Sequence, residues 1–242
     1  MREVELIDWN RDDRYRVTFT TRHGGTSSGP YGTLNLGLLT GDDPASVLEN
    51  RRRLCESAGA DARTASMSRQ VHGARVARAE PTGIVEVADH PRRDGLWSDV
   101  PGQAMLALTA DCLPIVICRS GPVPALAVLH AGWRGLLTGV VESGLAQLGA
   151  GDCRAVIGPG IGPCCYEVGS DVATRFVNRY GDTVSNGSHV DLWQAAEKTL
   201  LGAGCADVDR LDLCTVCERD LFFSHRRDRG VTGRQGVIAY VK

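Results

Sequence analysis

The apolar positions of this chain follow two different periods, and the changes from one to the other mark its elements. RVTFTT, residues 16–21, mixes β-branched and aromatic residues as a strand does, and RHGGTSSG ends it in a turn. YGTLNLGLLTGDD is punctuated by glycines and reads as loop around one short apolar stretch. DDPASVLENRRRLCESAGA then turns helical: Asp43 caps, Pro44 opens, Val47, Leu54 and Ala58 form the buried stripe, and Gly59 stops it. Residues 64–80, with SRQVHG, read as turn and short-strand material, and DGLWSD follows after a polar, proline-containing connection.

Three continuous apolar runs come next, AMLALTA (104–110), LPIVICR (113–119) and PALAVLH (124–130). Each has the character of a strand buried on both faces, and only Asp111 and Cys112 interrupt the first pair. After AGWRG, residues Leu136, Leu137, Val140, Val141, Leu145 and Leu148 share one helical stripe, which predicts a single helix over 136–148. AVIGPGIG reads as strand then glycine-rich loop, DVATRFVNRY and VDLWQAAEKTLLGAG as two more helices, and the C-terminal LDLCTVCERDLFFSHRRDRGVTGRQGVIAYV as at least two strands. No repeat or composition shift marks a boundary, so the prediction is one mixed α/β domain over residues 1–242.

Charge changes this picture little. A formal net charge of -2 argues against a broadly basic nucleic-acid surface, so any phosphate site must be local. Lys198 and Lys242 are the only lysines; the other cations are arginines, suited to planar recognition of oxyanions. No segment approaches about 18 consecutive apolar residues, and MREVELIDWNRDD is too polar and acidic for a signal peptide. A cytoplasmic protein with no membrane or nucleic-acid partner is expected. The odd count of nine cysteines argues against a disulfide framework.

Candidate chemistry centres on His72 in QVHG, Cys112 in TADC and His130 in HAGWRG, each beside a strand-like run. A thiolate with two imidazoles suits zinc or copper better than magnesium, against the plainer reading of a buried cysteine and two structural histidines. The same residues allow a metal-free dyad, Cys112 as nucleophile and His130 as base, and spacing does not separate the two. Asp111 is an orienter or proton-transfer group in either scheme, or equally an aspartate satisfying a strand-end turn. Among Arg22, Arg69 and Arg134 as anion candidates, Arg69 is favoured because it shares a segment with His72.

Other motifs say less. GPGIGPCCYEVG lacks the strand–GxGxxG–helix order of a dinucleotide site and reads as a fixed loop, with Cys164 and Cys165 lining a site or, more simply, packing. CTVC, residues 214–217, has CxxC spacing but no second CxxC to complete a zinc ribbon, so structural use is expected. No HxE occurs, which excludes the HxE…PCxxC type of zinc deaminase.

In order along the chain, TRHGGTSSGPYGTLNLGLLTGDDP, SRQVHG, DGLWSD, TADCLPI, HAGWRGL, IGPGIGPCCYEVG, VDL and FFSHRR…TGRQG resemble the laccase-domain, or multicopper polyphenol oxidase-like, family of bacterial proteins linked to purine nucleoside phosphorylase activity. The resemblance covers residues 16–241. It implies a single α/β domain with mixed β-sheets flanked by helices, distantly like cysteine-hydrolase toxin domains, and a zinc site on His72, Cys112 and His130. It implies phosphorolysis of adenosine, inosine, guanosine and 5'-methylthioadenosine, together with adenosine deamination. It also implies a pocket lined by Arg22, Asn35 and Arg69, although Asn35 alone would read as a loop cap. His225 stands where the family more often has tyrosine, and Cys217 looks peculiar to this sequence.

Six histidines are too few for a type 1 centre plus a three-copper cluster. A copper-dependent polyphenol oxidase with one ion on His72, Cys112 and His130, and a cysteine hydrolase using Cys112 and His130, remain the alternatives. Purine nucleosides and phosphate are the expected partners of a monomer, with a dimer left open.

Overall fold

A computed structural model of the chain describes residues 3–84, 90–149 and 151–242. Part of the polar connection before DGLWSD, residues 85–89, lies outside them. In chain order the strands are β1 (Leu6–Asp8), β2 (Tyr15–Thr20), β3 (Val76–Arg78), β4 (Gly95–Ser98), β5 (Met105–Thr109), β6 (Leu113–Arg119), β7 (Ala125–Ala131), β8 (Cys153–Ile157), β9 (Ser185–Asn186), β10 (His189–Val190), β11 (Cys205–Arg210) and β12 (Gln235–Val241). The helices are α1 (Pro44–Ala58), α2 (Trp133–Thr138), α3 (Val140–Leu148), α4 (Ser170–Tyr180) and α5 (Leu192–Gly202).

The apolar runs are strands because both of their faces are covered. Leu113, Ile115 and Ile117 of β6 join a cluster with Leu129, Phe176 and Leu200 on the side of α3, α4 and α5. Val116 and Cys118, one step out of phase, join Phe19, Met105 and Val237 on the other side. A strand buried on both faces has no polar positions to alternate with. The six-stranded sheet, in order β11-β8-β6-β7-β4-β3, is mixed, with β11/β8 and β3/β4 parallel and its other pairs antiparallel. The four-stranded sheet, β1-β2-β12-β5, is antiparallel and packs α1 on its far face through Leu106, Ile238 and Leu54. The result is an α/β fold with mixed sheets and helices on the outside.

Helix α1 starts and stops as the sequence predicts. The Asp43 carboxylate accepts the Ala45 and Ser46 N–H groups at 3.2 and 3.1 Å, and Gly59 ends the helix at φ 72°. Arg51 lies fully buried on the same stripe, donating to the Leu36 and Ile84 carbonyls at 2.8 Å each.

Two expectations are corrected. The single helix over 136–148 is two, because Gly139 at φ 93° is left-handed and its N–H closes α2 onto the Gly135 and Leu136 carbonyls before α3 begins. The C-terminal stretch holds one strand among the described residues, β12. Phe222 and Phe223 are buried without a ladder because the Gln235 amide takes the N–H and carbonyl of Phe223, at 2.8 and 3.0 Å. Among the described residues, no helix is long and apolar enough to cross a membrane.

Candidate active site

The pairing of β4 with β7 sets Asp94, just ahead of β4, against His130 near the end of β7. The His130 backbone N–H donates to the Asp94 carbonyl at 2.7 Å, and its ring Nδ1 lies 2.9 Å from Asp94 Oδ1. The same carboxylate accepts the backbone N–H groups of Val71, His72 and Gly73, the last two at 2.8 and 2.7 Å. This curls QVHG around one anion and holds His72 at φ 60°, a conformation uncommon outside glycine. Burial works against ionised Asp94, but His130 and these amides hold it below the usual carboxylate range.

Cys112 is presented by the turn between β5 and β6, where Asp111 has φ 90°. Asp111 is pinned on three sides: Oδ1 accepts from Thr215 Oγ1 at 2.7 Å, Oδ2 from the Arg226 N–H at 2.7 Å, and its carbonyl from the Ile161 N–H at 2.8 Å. The β6–β7 register pairs Leu113 with Ala131, so Cys112 arrives beside the end of β7. One ligand atom from each of His72, Cys112 and His130 thus falls within 4.8 Å of the others. Burial pushes the Cys112 thiol up, and the His130 and His72 imidazoles more than reverse this, lowering it. Burial opposes a charged His130, and the Cys112 and Asp94 anions override it, raising the imidazole.

Gly132 of HAGWRG has a steric cause. A Cβ there would stand 2.9 Å from Cys112 Sγ and 3.0 Å from His72 Cδ2, and one at Gly135 would stand 3.0 Å from the Gly73 carbonyl oxygen. At φ -80° Gly132 has no conformational need to be glycine, so Gly132→Ala is expected to fold and to displace the two side chains. A misplacement of about 1 Å is worth about 100-fold in rate. A loss of that order in kcat/KM, with little change in Tm, is the expected result. Wild-type turnover would show that close approach of the three side chains is not required.

The triad opens into a cavity of about 470 Å³. Arg51, Arg69, Arg226 and Arg234 line it, with Asp111 the one carboxylate among the described lining residues and Trp133 and Tyr166 as aromatic wall. Arg234 is fixed by the Thr232 and Gly233 carbonyls at 3.1 and 2.8 Å, and burial lowers its pKa. His225 also lines the cavity and is exposed.

Of the residues expected at the site, His72, Cys112, His130, Asp111 and Arg69 meet in this cavity, and Arg22 and Asn35 are not in its lining. The Arg22 guanidinium donates to the Gly32 and Arg219 carbonyls and stacks 4.6 Å over Phe223. Asn35 is fully buried and holds its own loop, as a loop cap does. Its Nδ2 donates to Thr40 Oγ1 and Asp42 Oδ2, and its Oδ1 accepts the Gly37 and Arg234 N–H groups. Arg134 stacks 4.6 Å over Trp133. Asp94 and Arg234 show no sign of these roles in the sequence, although they stand in the motifs DGLWSD and TGRQG.

The donor set fits a metal ion. Two imidazoles and a thiol with a lowered pKa converge, and Asp94 takes Nδ1 of His130, leaving Nε2 as its ligand atom. Both zinc and copper accept such ligands. A family model described as multi-copper polyphenol oxidoreductase laccase matches residues 16–242. The chain belongs to that family. Within this laccase-like family it is 38% identical over 246 residues to a purine nucleoside phosphorylase of Pseudomonas aeruginosa, covering 97% of each chain. It is 35% identical over 254 residues to the purine nucleoside phosphorylase YfiH of Escherichia coli, covering 100% of each. The solved structure of a Neisseria meningitidis protein superposes with a TM-score of 0.87 at 32% identity, over 100% of both chains.

Proposed function

We propose that this chain is a zinc-dependent purine nucleoside phosphorylase that converts adenosine, inosine, guanosine or 5'-methylthioadenosine plus phosphate to free base and ribose 1-phosphate, or its methylthio analogue from the last of these, with adenosine deamination as an accompanying reaction. The observation that carries this is the meeting of a two-histidine, one-cysteine triad with four arginines in one cavity, in which Asp111, the one carboxylate among the described lining residues, is already hydrogen-bonded. A cavity of about 470 Å³ falls in the range of about 300–1,000 Å³ usual for small-molecule sites. The relatives named as purine nucleoside phosphorylases support the same reading.

In phosphorolysis a phosphate oxygen bonds to ribose C1', the C1'–N bond breaks, and its electron pair leaves with the purine, which takes up a proton. The chain's task is to hold phosphate against C1' and offset its charge. We assign that to Arg69 and Arg234, whose forked donors match an oxyanion, with Arg226 at the same wall. Trp133 and Tyr166 supply apolar surface for the base. His72, Cys112 and His130 hold the metal, and zinc bound there supplies Lewis acidity toward substrate or water. Asp111 acts as an orienter, keeping the Cys112 turn in place. Arg22 and Asn35 act from outside the cavity, Asn35 through its 2.8 Å bond to the Arg234 N–H. We read residues 1–242 as one functional domain in a reducing, cytoplasmic compartment, consistent with nine free cysteines.

A second reading has an observation in its favour. Cys112, His130 and Asp94 stand in the order nucleophile, base and orienter, as a cysteine hydrolase requires. A copper oxidase would use the ligands His72, Cys112 and His130 and would differ in its ion and in redox turnover of phenols.

The test is a time course of zinc-loaded protein with adenosine and phosphate, resolving adenine, ribose 1-phosphate, inosine and hypoxanthine, beside His130→Ala. Adenine with ribose 1-phosphate, lost in the variant, is the expected result. Inosine alone would move the assignment to deamination, and no product from folded, metal-loaded protein would overturn both.

A further inference from the structure

We propose that Cys164, Cys165, Cys214 and Cys217 form a second metal centre, which binds one zinc ion and clamps the wall of the cavity. Their four Sγ atoms all lie within 4.8 Å of one another, and Cys217 Sγ is 3.6 Å from Cys164 Sγ and 3.5 Å from Cys165 Sγ. Four sulfurs around zinc at about 2.3 Å are about 3.8 Å apart, whereas a disulfide needs about 2.05 Å. The spacing fits four thiolates around a shared ion and lies well outside that of a disulfide. Packing is a poor account of the cluster, because Cys164 and Cys217 are exposed and cysteine used for packing is among the most buried residue types.

The backbone is arranged for a thiolate at the buried corner. The Gly162 N–H donates to Cys214 Sγ at 3.3 Å. The two segments are also tied by a bridge between Gly160 and Cys214 and by the Thr215 N–H on the Gly160 carbonyl at 3.0 Å. Four soft ligands in a closed set are the mark of structural zinc. The partner of CTVC is thus not a second CxxC but the adjacent pair in GPCCYEVG, and only the fold brings the two together.

The clamp reaches the first site without sharing a residue with it. Ile161 and Tyr166, on the same loop as Cys164 and Cys165, line the cavity, and Thr215, next to Cys214, bonds Asp111.

Zinc and cobalt(II) are the probes, applied to whole protein purified reduced and without oxygen. Two zinc equivalents per chain are expected. The double variant Cys164→Ser/Cys217→Ser should fall to one, and His72→Asn/His130→Ala should fall to one while keeping the thiolate-to-cobalt charge-transfer bands of a four-sulfur site. In wild-type protein, which avoids any folding defect, titration with an organomercurial should release both zinc ions, one with the four cluster thiols and the other with Cys112. One equivalent in the wild type, lost with the cysteines and kept in the histidine variant, would support this centre and refute the metal at the first site. One equivalent that survives the cysteine changes would overturn the proposal, and so would a disulfide between Cys217 and either Cys164 or Cys165 in place of a second metal.

Discussion

His72→Asn is expected to lower kcat/KM by at least about 100-fold, as far as His130→Ala does, and to lower zinc content with it. Losing a ligand should cost more than losing the partner that orients one, which is worth about 10–100-fold. Asparagine suits this position because His72 sits at φ 60°, where asparagine is tolerated and alanine is strained. His72 is also exposed, so stability should hold within about 1 kcal/mol. The comparison separates the two enzyme readings. In a cysteine hydrolase built on Cys112, His130 and Asp94, His72 only assists in lowering the Cys112 thiol, so its loss should leave far more of the turnover than loss of the base His130. In the metal reading it is one of three equal ligands. Kinetics, metal content and Tm on the two variants decide between them, and His72→Asn with near-normal turnover in the presence of a chelator would sink the metal site.

The sequence makes the residue types of this triad legible and hides their convergence. LPIVICR can be read as a doubly buried strand because burial on both faces leaves a mark at every position. That Cys112 meets His130 depends on the β6–β7 register, and that His72 joins them depends on three amides wrapping the Asp94 carboxylate. An aspartate ahead of a strand carries no local sign of such a role. Arg51 is hidden for the opposite reason. It interrupts an apolar stripe as a surface arginine would, yet the Leu36 and Ile84 carbonyls let it be buried. Gly139 shows the limit of periodicity, since the apolar stripe runs on through a left-handed residue that the chain uses to end one helix and start another.

Asp94→Asn is the substitution expected to damage stability and metal affinity together. The carboxylate takes N–H groups from Val71, His72 and Gly73 and faces Nδ1 of His130. An amide offers one oxygen, and its nitrogen is a donor. Wherever that NH₂ points, it meets either the Gly73 N–H or, beside the His130 ring, the His72 N–H, so one part-buried donor loses its acceptor at a cost of about 1–3 kcal/mol. The effect on His130 is of a different kind. An ionised Asp94 keeps the proton on Nδ1 and leaves Nε2 free to bind metal, whereas an amide NH₂ facing Nδ1 favours the tautomer with the proton on Nε2. Zinc affinity is therefore expected to fall about 10–100-fold beyond any loss of fold. Denaturant unfolding of metal-free protein measures the first effect, and zinc competition titration of folded protein measures the second. Lower stability with unchanged zinc affinity would reduce Asp94 to the anchor of the QVHG turn. Loss of both would make this one carboxylate the residue that brings two ligands from distant segments to the same ion.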